Sequence, residues 1–303
     1  MSQSVVDRAS RRSHTSTMQS SRLSAAFPWW AKIATKIVLA RLPFAYSTWA
    51  KVGIFRHGSN ETAEYAHLVF SQHFGLAHPK PGFVALELGP GDALGSAILT
   101  RAFGGSSSYQ VDIGDFASRD MRVYRSIAEY CDRKDLSAPD LSNSATLEDV
   151  LSCCRATYKT DGLNSLRGIA DGSVDFIYSQ SCLEHIRANE FLDTMKELKR
   201  ILRPGGTASH WIDLQDHLAS ALNNLRFSER TWESSLMANS GFYTNRIRFG
   251  EMRQLVEHAG FATDVTETTS WQKLPTERAK MATKFRDLPE EDLSVRSFGM
   301  VCR

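Results

Sequence analysis

Val84 to Gly95, reading VALELGPGDALG, constrains this chain more than any other stretch, because an apolar run there passes straight into a glycine-rich turn. Val84, Ala85, Leu86 and Leu88 suit a buried parallel strand, with Glu87 placing an acid near its carboxyl end. Gly89 and Gly91 let the backbone come close to a ligand. Leu94 to Phe103 reads as the helix that follows, so a bound group would meet a helix amino terminus. The spacing narrows what that group can be. A dinucleotide turn, G-x-G-x-x-G, needs its third glycine where this chain has Leu94, with Gly95 one step late. Glu87 would also repel a pyrophosphate, whereas it suits a cationic amino group.

Three further segments stand in register with the first. Tyr109 to Ile113 (YQVDI) reads as a second strand ending in Asp112, about twenty residues past the glycines, where an acid can take both hydroxyls of a ribose. Ser173 to Ile186 (SVDFIYSQSCLEHI) reads as a later strand, a polar turn and a helix. Leu198 to Gly206 (LKRILRPGG) closes a helix with Pro and Gly before a strand from Thr207 to Leu214. With these motifs, the chain from Gly82 to its carboxyl terminus resembles the class I S-adenosylmethionine-dependent methyltransferases. That family has E-x-G-x-G, an acid after the second strand, S-x-D-x-I with a downstream L-E-H, and L-R-P-G-G in the same order.

The resemblance implies an α/β fold: a doubly wound, mostly parallel seven-stranded sheet with helices on both faces, ended by an antiparallel edge strand, Ser294 to Cys302. It also implies S-adenosyl-L-methionine as cofactor. Carried over residue by residue, Glu87, Gly89 and Gly91 would wrap its methionine part and Asp112 would hold its ribose. Asp161 would reach the adenine amino group, and Ser179 and Gln180 would line the pocket after the fourth strand. Ser179 to Ser181 can equally be an ordinary helix cap.

The net charge of +2 conceals an asymmetry, since residues 1–60 hold nine Lys and Arg against the single acid Asp7, while the remainder carries six more acids than bases. A uniform nucleic-acid-binding surface is therefore not expected. The five cysteines form neither a C-x-x-C pair nor an evenly spaced framework, which fits a reducing, cytoplasmic setting. Residues 1–26 are Ser- and Arg-rich and read as a disordered basic tail, a composition that a transit peptide shares. Residues 27–80 read as a helical extension to a catalytic domain at 81–303. Within it, residues 28–42 form an amphipathic segment suited either to peripheral contact with a membrane surface or to packing on the protein.

If the methyl acceptor is an alcohol, it must lose a proton, and HWIDLQDH just after the fifth strand offers a base. Strand alternation puts His210 and Asp213 on opposite faces. His217 is the preferred base, with Asp213 or Asp216 orienting its ring, and no metal site is expected because the ligand spacing matches none. A solvated helix start, with Asp216 as cap, is the bland reading of the same residues. The insertion 215–248 is long for a connection and reads as a lid over the acceptor. Arg226, Trp232, Tyr243, Asn245 and Arg246 there, with His185 of L-E-H, are the candidate acceptor-binding groups, suited to a sugar, phosphate or carboxylate. The expected function is O-methylation of a small molecule or glycan. Methylation of carbon or nitrogen on a quinone or lipid, and a catalytically silent binding domain, are the alternatives.

Overall fold

The computed structural model describes residues 62–303; the basic tail and the amphipathic segment at 28–42 lie outside the described residues. Thr62 opens the first helix, α1 (Ala63–Ala77), by accepting the Tyr65 backbone N–H at 3.3 Å, and His78 ends it in the left-handed region at φ 46°. Then come β1 (Val84–Leu88), α2 (Gly95–Ala102), β2 (Ser107–Val111), α3 (Met121–Asp132), α4 (Leu147–Cys154) and β3 (Ala156–Lys159). The chain continues through α5 (Gly162–Arg167), β4 (Val174–Gln180), α6 (Ala188–Ile201), β5 (Leu202–Asp213), α7 (Phe249–His258), β6 (Thr263–Ser270) and β7 (Val295–Cys302).

The seven strands form one sheet in the order β3-β2-β1-β4-β5-β7-β6. The first five are parallel, and β7 runs antiparallel to both neighbours. The order reverses between β1 and β4, which opens a crevice at the carboxyl ends of the strands. Alternation along the strands feeds two cores. Leu86, Leu88, Ile177, Ala208 and Phe298 pack with Phe191, Met195 and Leu198 of α6. Ala85, Phe176 and Tyr178 pack on the other face with Phe70 of α1, Ile98 of α2 and Tyr124 of α3. Phe191, Met195, Leu198 and Ile201 recur every three or four residues along α6, so one stripe of that helix is buried.

One strand falls elsewhere than expected. The final strand is antiparallel, but it is not the edge: β7 lies between β5 and β6. Composition explains the exchange. Phe298, Met300, Val301 and Cys302 bury both faces of β7, whereas β6, TDVTETTS, is largely exposed and polar, as an edge strand should be. Gly299 fits the inner position, because a Cβ there would stand 2.6 Å from Thr266 Oγ1. The fifth strand also starts earlier than its apolar run, at Leu202, with a bulge opposite Val174 to Phe176.

Between β5 and α7, short helical turns at Asn223–Arg226, Glu229–Trp232 and Ser235–Ala238 build a small structure of their own. Leu218, Trp232, Met237, Phe242 and Tyr243 form its core. Arg248 closes it: the buried guanidinium donates to Leu214 O at 2.9 Å, Leu293 O at 3.1 Å and Val295 O at 2.6 Å. Among the described residues no helix is long and apolar enough to cross a membrane.

Candidate active site

The crevice is built where β1 and β2 end. Gly89 and Gly91 both adopt positive φ, 76° and 67°, a conformation open to glycine at little cost. At Gly89 space also forbids a side chain, since a Cβ would stand 2.4 Å from Cys182 Sγ. Asp112 ties the turn to its neighbours. Its Oδ2 accepts the Gly91 N–H at 3.1 Å and its Oδ1 the Ile113 N–H at 2.7 Å. Its own N–H donates to Lys159 O at 2.9 Å, and its carbonyl accepts the Gly162 N–H at 2.9 Å. Ile113 beside it is 70% exposed. Asp161, exposed at the start of α5, accepts from Asn164 Nδ2 at 3.3 Å.

Glu87 lies on the α1 side of β1, near Ser96 and Tyr178. Burial pushes its carboxyl up to about 7, hydrogen bonds from Ser96 and Tyr178 oppose that, and the Asp112 charge adds to it. Tyr65 of α1 reaches the same corner, hydrogen-bonding Gln180 and feeling the Glu87 charge; burial raises its phenol. Gln180 Oε1 accepts from His73 Nε2 at 3.1 Å, and His73 Nδ1 meets Ser209 Oγ at 2.7 Å. Burial drops the His73 imidazole to about 4, so the ring is neutral. Its Nε2–H donates to the amide oxygen, and Nδ1 accepts from the serine. No motif in the sequence marks Tyr65, His73 or Cys182. Ile113 was legible only as the residue following the acid.

Ser179 does not line this crevice. It is fully buried, and its hydroxyl pairs with His210 Nδ1 at 2.8 Å across the β4–β5 pair. Ser179 and His210 are opposite each other in the strand register, and both side chains are buried in the sheet. Burial takes the His210 imidazole down to about 3.

Beyond β5 the expected cluster divides. Asp216 is buried, and its carboxylate accepts backbone N–H groups from Leu218, Ala219, Ala221 and Asn223. It shapes the loop and does not orient His217. Asp213 accepts from Gln215 through N–H and Nε2. The group that meets His217 is His185: their Nε2 atoms are 3.1 Å apart, their ring centroids 4.9 Å apart, and their planes 13° from parallel. His185 Nδ1–H donates to Tyr243 O at 2.9 Å, which leaves Nε2 as its acceptor atom. The adjacent Glu184 is buried, with Oε1 accepting the Asp213 N–H at 3.2 Å, and burial together with Asp213 holds its carboxyl well above the usual range.

Most residues expected to grip an acceptor hold the lid together instead. Trp232 is fully buried and donates Nε1–H to Thr244 O at 2.7 Å, so its face cannot stack on a sugar. The Arg246 guanidinium lies over the Trp232 ring at 5.4 Å and donates to Phe227 O at 2.7 Å. Asn245 donates Nδ2–H to Leu183 O at 2.8 Å and Ile186 O at 3.1 Å, clamping the turn that carries His185. Tyr243 is buried, its hydroxyl donating to Glu233 Oε2 at 2.8 Å. Arg226, partly buried, donates Nε–H to Asn223 Oδ1 at 3.0 Å. These arginines and aromatics follow the pattern of an interaction surface, but their partners are within the chain. Asn245→Ala should cost roughly 2–4 kcal/mol, because two buried carbonyls and the Ile247 N–H lose their partner. A melting temperature within a degree of wild type would contradict this.

Comparison with known proteins places this geometry. Residues 86–209 match the family model described as a methyltransferase domain. No curated protein matches the chain in sequence. Among solved structures, Haemonchus contortus phosphoethanolamine N-methyltransferase 2 with S-adenosyl-L-methionine is 16% identical, with TM-score 0.44, covering 82% of this chain and 53% of that one. A SAM-dependent methyltransferase from Methanosarcina mazei is 17% identical, with TM-score 0.43, covering 77% and 95%. The YcgJ protein of Bacillus subtilis is 12% identical, with TM-score 0.44, covering 78% and 97%. The matched segment runs from the strand that carries Glu87 to the strand that carries His210 and takes in the whole glycine turn, so the chain contains a methyltransferase domain, with S-adenosyl-L-methionine as its cofactor.

Proposed function

We propose that this enzyme methylates a hydroxyl oxygen of a small molecule or glycan, and that His217 takes the hydroxyl proton. The observation that carries this reading is the His185–His217 pair. Because His185 Nδ1–H is committed to Tyr243 O, its Nε2 accepts from His217 Nε2–H. In that tautomer His217 Nδ1 is the basic atom. When His217 gains a proton, the imidazolium keeps its bond to His185, now charge-assisted. His185 thus takes the orienting role expected of an aspartate.

The residues at the crevice fit the cofactor: the turn at Gly89 and Gly91 has no side chains to displace, and Asp112 sets a carboxylate beside that turn. S-adenosyl-L-methionine supplies an electrophilic methyl group on a sulfonium. We assign Glu87 to its amino group, Asp112 to the ribose hydroxyls, Ile113 to one face of the adenine and Asp161 to the adenine edge. Gln180, held by His73 and joined to Tyr65, faces the region where the acceptor would enter. Residues 81–303 form the catalytic domain in this reading, with 215–248 as its lid. For an in-line displacement these groups mainly align and exclude water.

The decisive experiment is an acceptor screen with methyl-labelled cofactor, followed by assignment of the labelled atom. A methyl ether supports the proposal; label on nitrogen or carbon overturns it.

The Glu87 assignment predicts a pH dependence. An ammonium partner favours the carboxylate, while burial pushes the carboxyl of the free enzyme up to about 7. Below that pH, binding must expel a proton, so affinity for S-adenosylhomocysteine should fall about tenfold per pH unit between about 7 and 5. The ligand's own ammonium titrates above that window and stays charged throughout it. Calorimetry at pH 6 in buffers of different ionisation heat should record close to one proton released. Affinity independent of pH would remove Glu87 from this role.

A further inference from the structure

We propose that Tyr65 and Gln180 bind the carboxylate at the amino-acid end of S-adenosyl-L-methionine, and that His73 is the positioning residue that aims the Gln180 amide at it. The proposal rests on the assignment of Glu87 to the ammonium of the same group. Strand register brings these residues to one corner. Glu87, Tyr178 and Ser209 stand side by side across β1, β4 and β5. Tyr178 packs on the α1 side of the sheet, so Gln180, two residues further along β4, lies on that side too, about 7 Å nearer the carboxyl ends of the strands. Helix α1 packs on β4 and β5 and brings Tyr65 and His73 to this row.

The hydrogen bonds at this corner all run in one direction. Ser209 donates to His73 Nδ1 at 2.7 Å, and His73 Nε2–H donates to Gln180 Oε1 at 3.1 Å. With its oxygen engaged, the amide turns its NH2 the other way and donates to the Tyr65 phenol oxygen. One amide N–H and the Tyr65 O–H are left over at the end of the chain of bonds. Glu87 takes its hydrogen bonds from Ser96 and Tyr178 and reaches Tyr65 by charge alone. His73, Tyr178 and Ser209 are buried, whereas Tyr65, Glu87 and Gln180 are partly exposed. The fixed part of the network is inside, and its remaining donors face the crevice.

Donors suit no part of an ammonium, which brings only hydrogens of its own. The group that shares its carbon in an α-amino acid is a carboxylate, and a carboxylate accepts from both donors. A neutral amide and phenol can hold it without pairing with Glu87, as a lysine or arginine at that place would. His73 sets the sense of the amide. Without an N–H on Oε1 the amide is able to rotate, and its oxygen would then oppose the ligand's charge.

The test compares S-adenosylhomocysteine with its decarboxylated analogue, whose chain ends in the ammonium alone, by calorimetric titration of the full-length protein. Wild type should prefer S-adenosylhomocysteine by at least about tenfold. Tyr65→Phe should weaken S-adenosylhomocysteine about tenfold and the analogue by less than about twofold. Gln180→Glu still accepts from His73 but sets a negative charge at the site, and should invert the preference. His73→Phe keeps a ring against Tyr178; it should lose much of the preference while the analogue, which reports a folded pocket, binds as before. Equal affinity of wild type for the two ligands overturns the subsite and leaves the Glu87 assignment standing. Equal losses for both ligands in Tyr65→Phe overturn it too, as a contact that only supports the fold, and unchanged affinities would hand the pair to the acceptor instead. If wild type bound neither ligand, the cofactor assignments would fall and the subsite with them.

Discussion

His217→Ala should lower kcat for a hydroxyl acceptor by about 10²–10⁴-fold while leaving the affinity for S-adenosylhomocysteine within about twofold of wild type. The size follows from the role, because an alcohol is a weak nucleophile until its proton has somewhere to go. The selectivity follows from position, because His217 is in the segment after β5 whereas the groups we assign to the cofactor gather around β1 and β2. His185→Ala should show a smaller fall in kcat and a lower apparent pKa in the pH–rate profile, since the imidazolium loses the ring that accepts its Nε2–H. Equal kcat in wild type and His217→Ala would transfer the proton to another group or the methyl to another kind of atom.

Asp112→Ala should weaken S-adenosylhomocysteine binding by about 10²–10⁴-fold. Two hydrogen bonds from ribose hydroxyls to a carboxylate are worth roughly 1.5–3 kcal/mol each. A second contribution comes from the turn, whose Gly91 N–H loses its acceptor when the carboxylate is removed. Asp112→Asn separates the two, since its amide oxygen can still accept from Gly91 or Ile113 while the charge is gone. Calorimetric titration of the three proteins should rank them wild type, Asn, Ala in falling affinity. Alanine binding as tightly as wild type would exclude Asp112 from the ribose.

What the sequence disclosed, and what it hid, follows from the range of the interactions involved. The β1 turn was legible because the glycines and the acid after the next strand are each written at the end of a short apolar run. The position of β7 was not, since its antiparallel course is compatible with either neighbour, and only the contrast with the polar β6 decides which strand is outermost. Around His217 a base could be proposed from local spacing. Its partner could not, because His185 lies on a different connection and the nearer Asp216 is taken up by backbone donors. Trp232 and Arg246 misled for a related reason: an aromatic and a guanidinium have the same signature whether they meet a sugar or each other.

The clamp at Arg248 has an evolutionary consequence. The polypeptide leaves the sheet at Leu214 and returns at Arg248, and one guanidinium holds the exit carbonyl together with Leu293 O and Val295 O at the start of β7. The segment enclosed by that clamp has a core of its own. Between the anchors at His217 and Asn245, its length and residues can therefore drift while the strands and the glycine turn stay in register. On the reading of 215–248 as a lid, a graft that keeps His217, Asn245 and Arg248 is the natural splice for redirecting such a catalyst to a new acceptor.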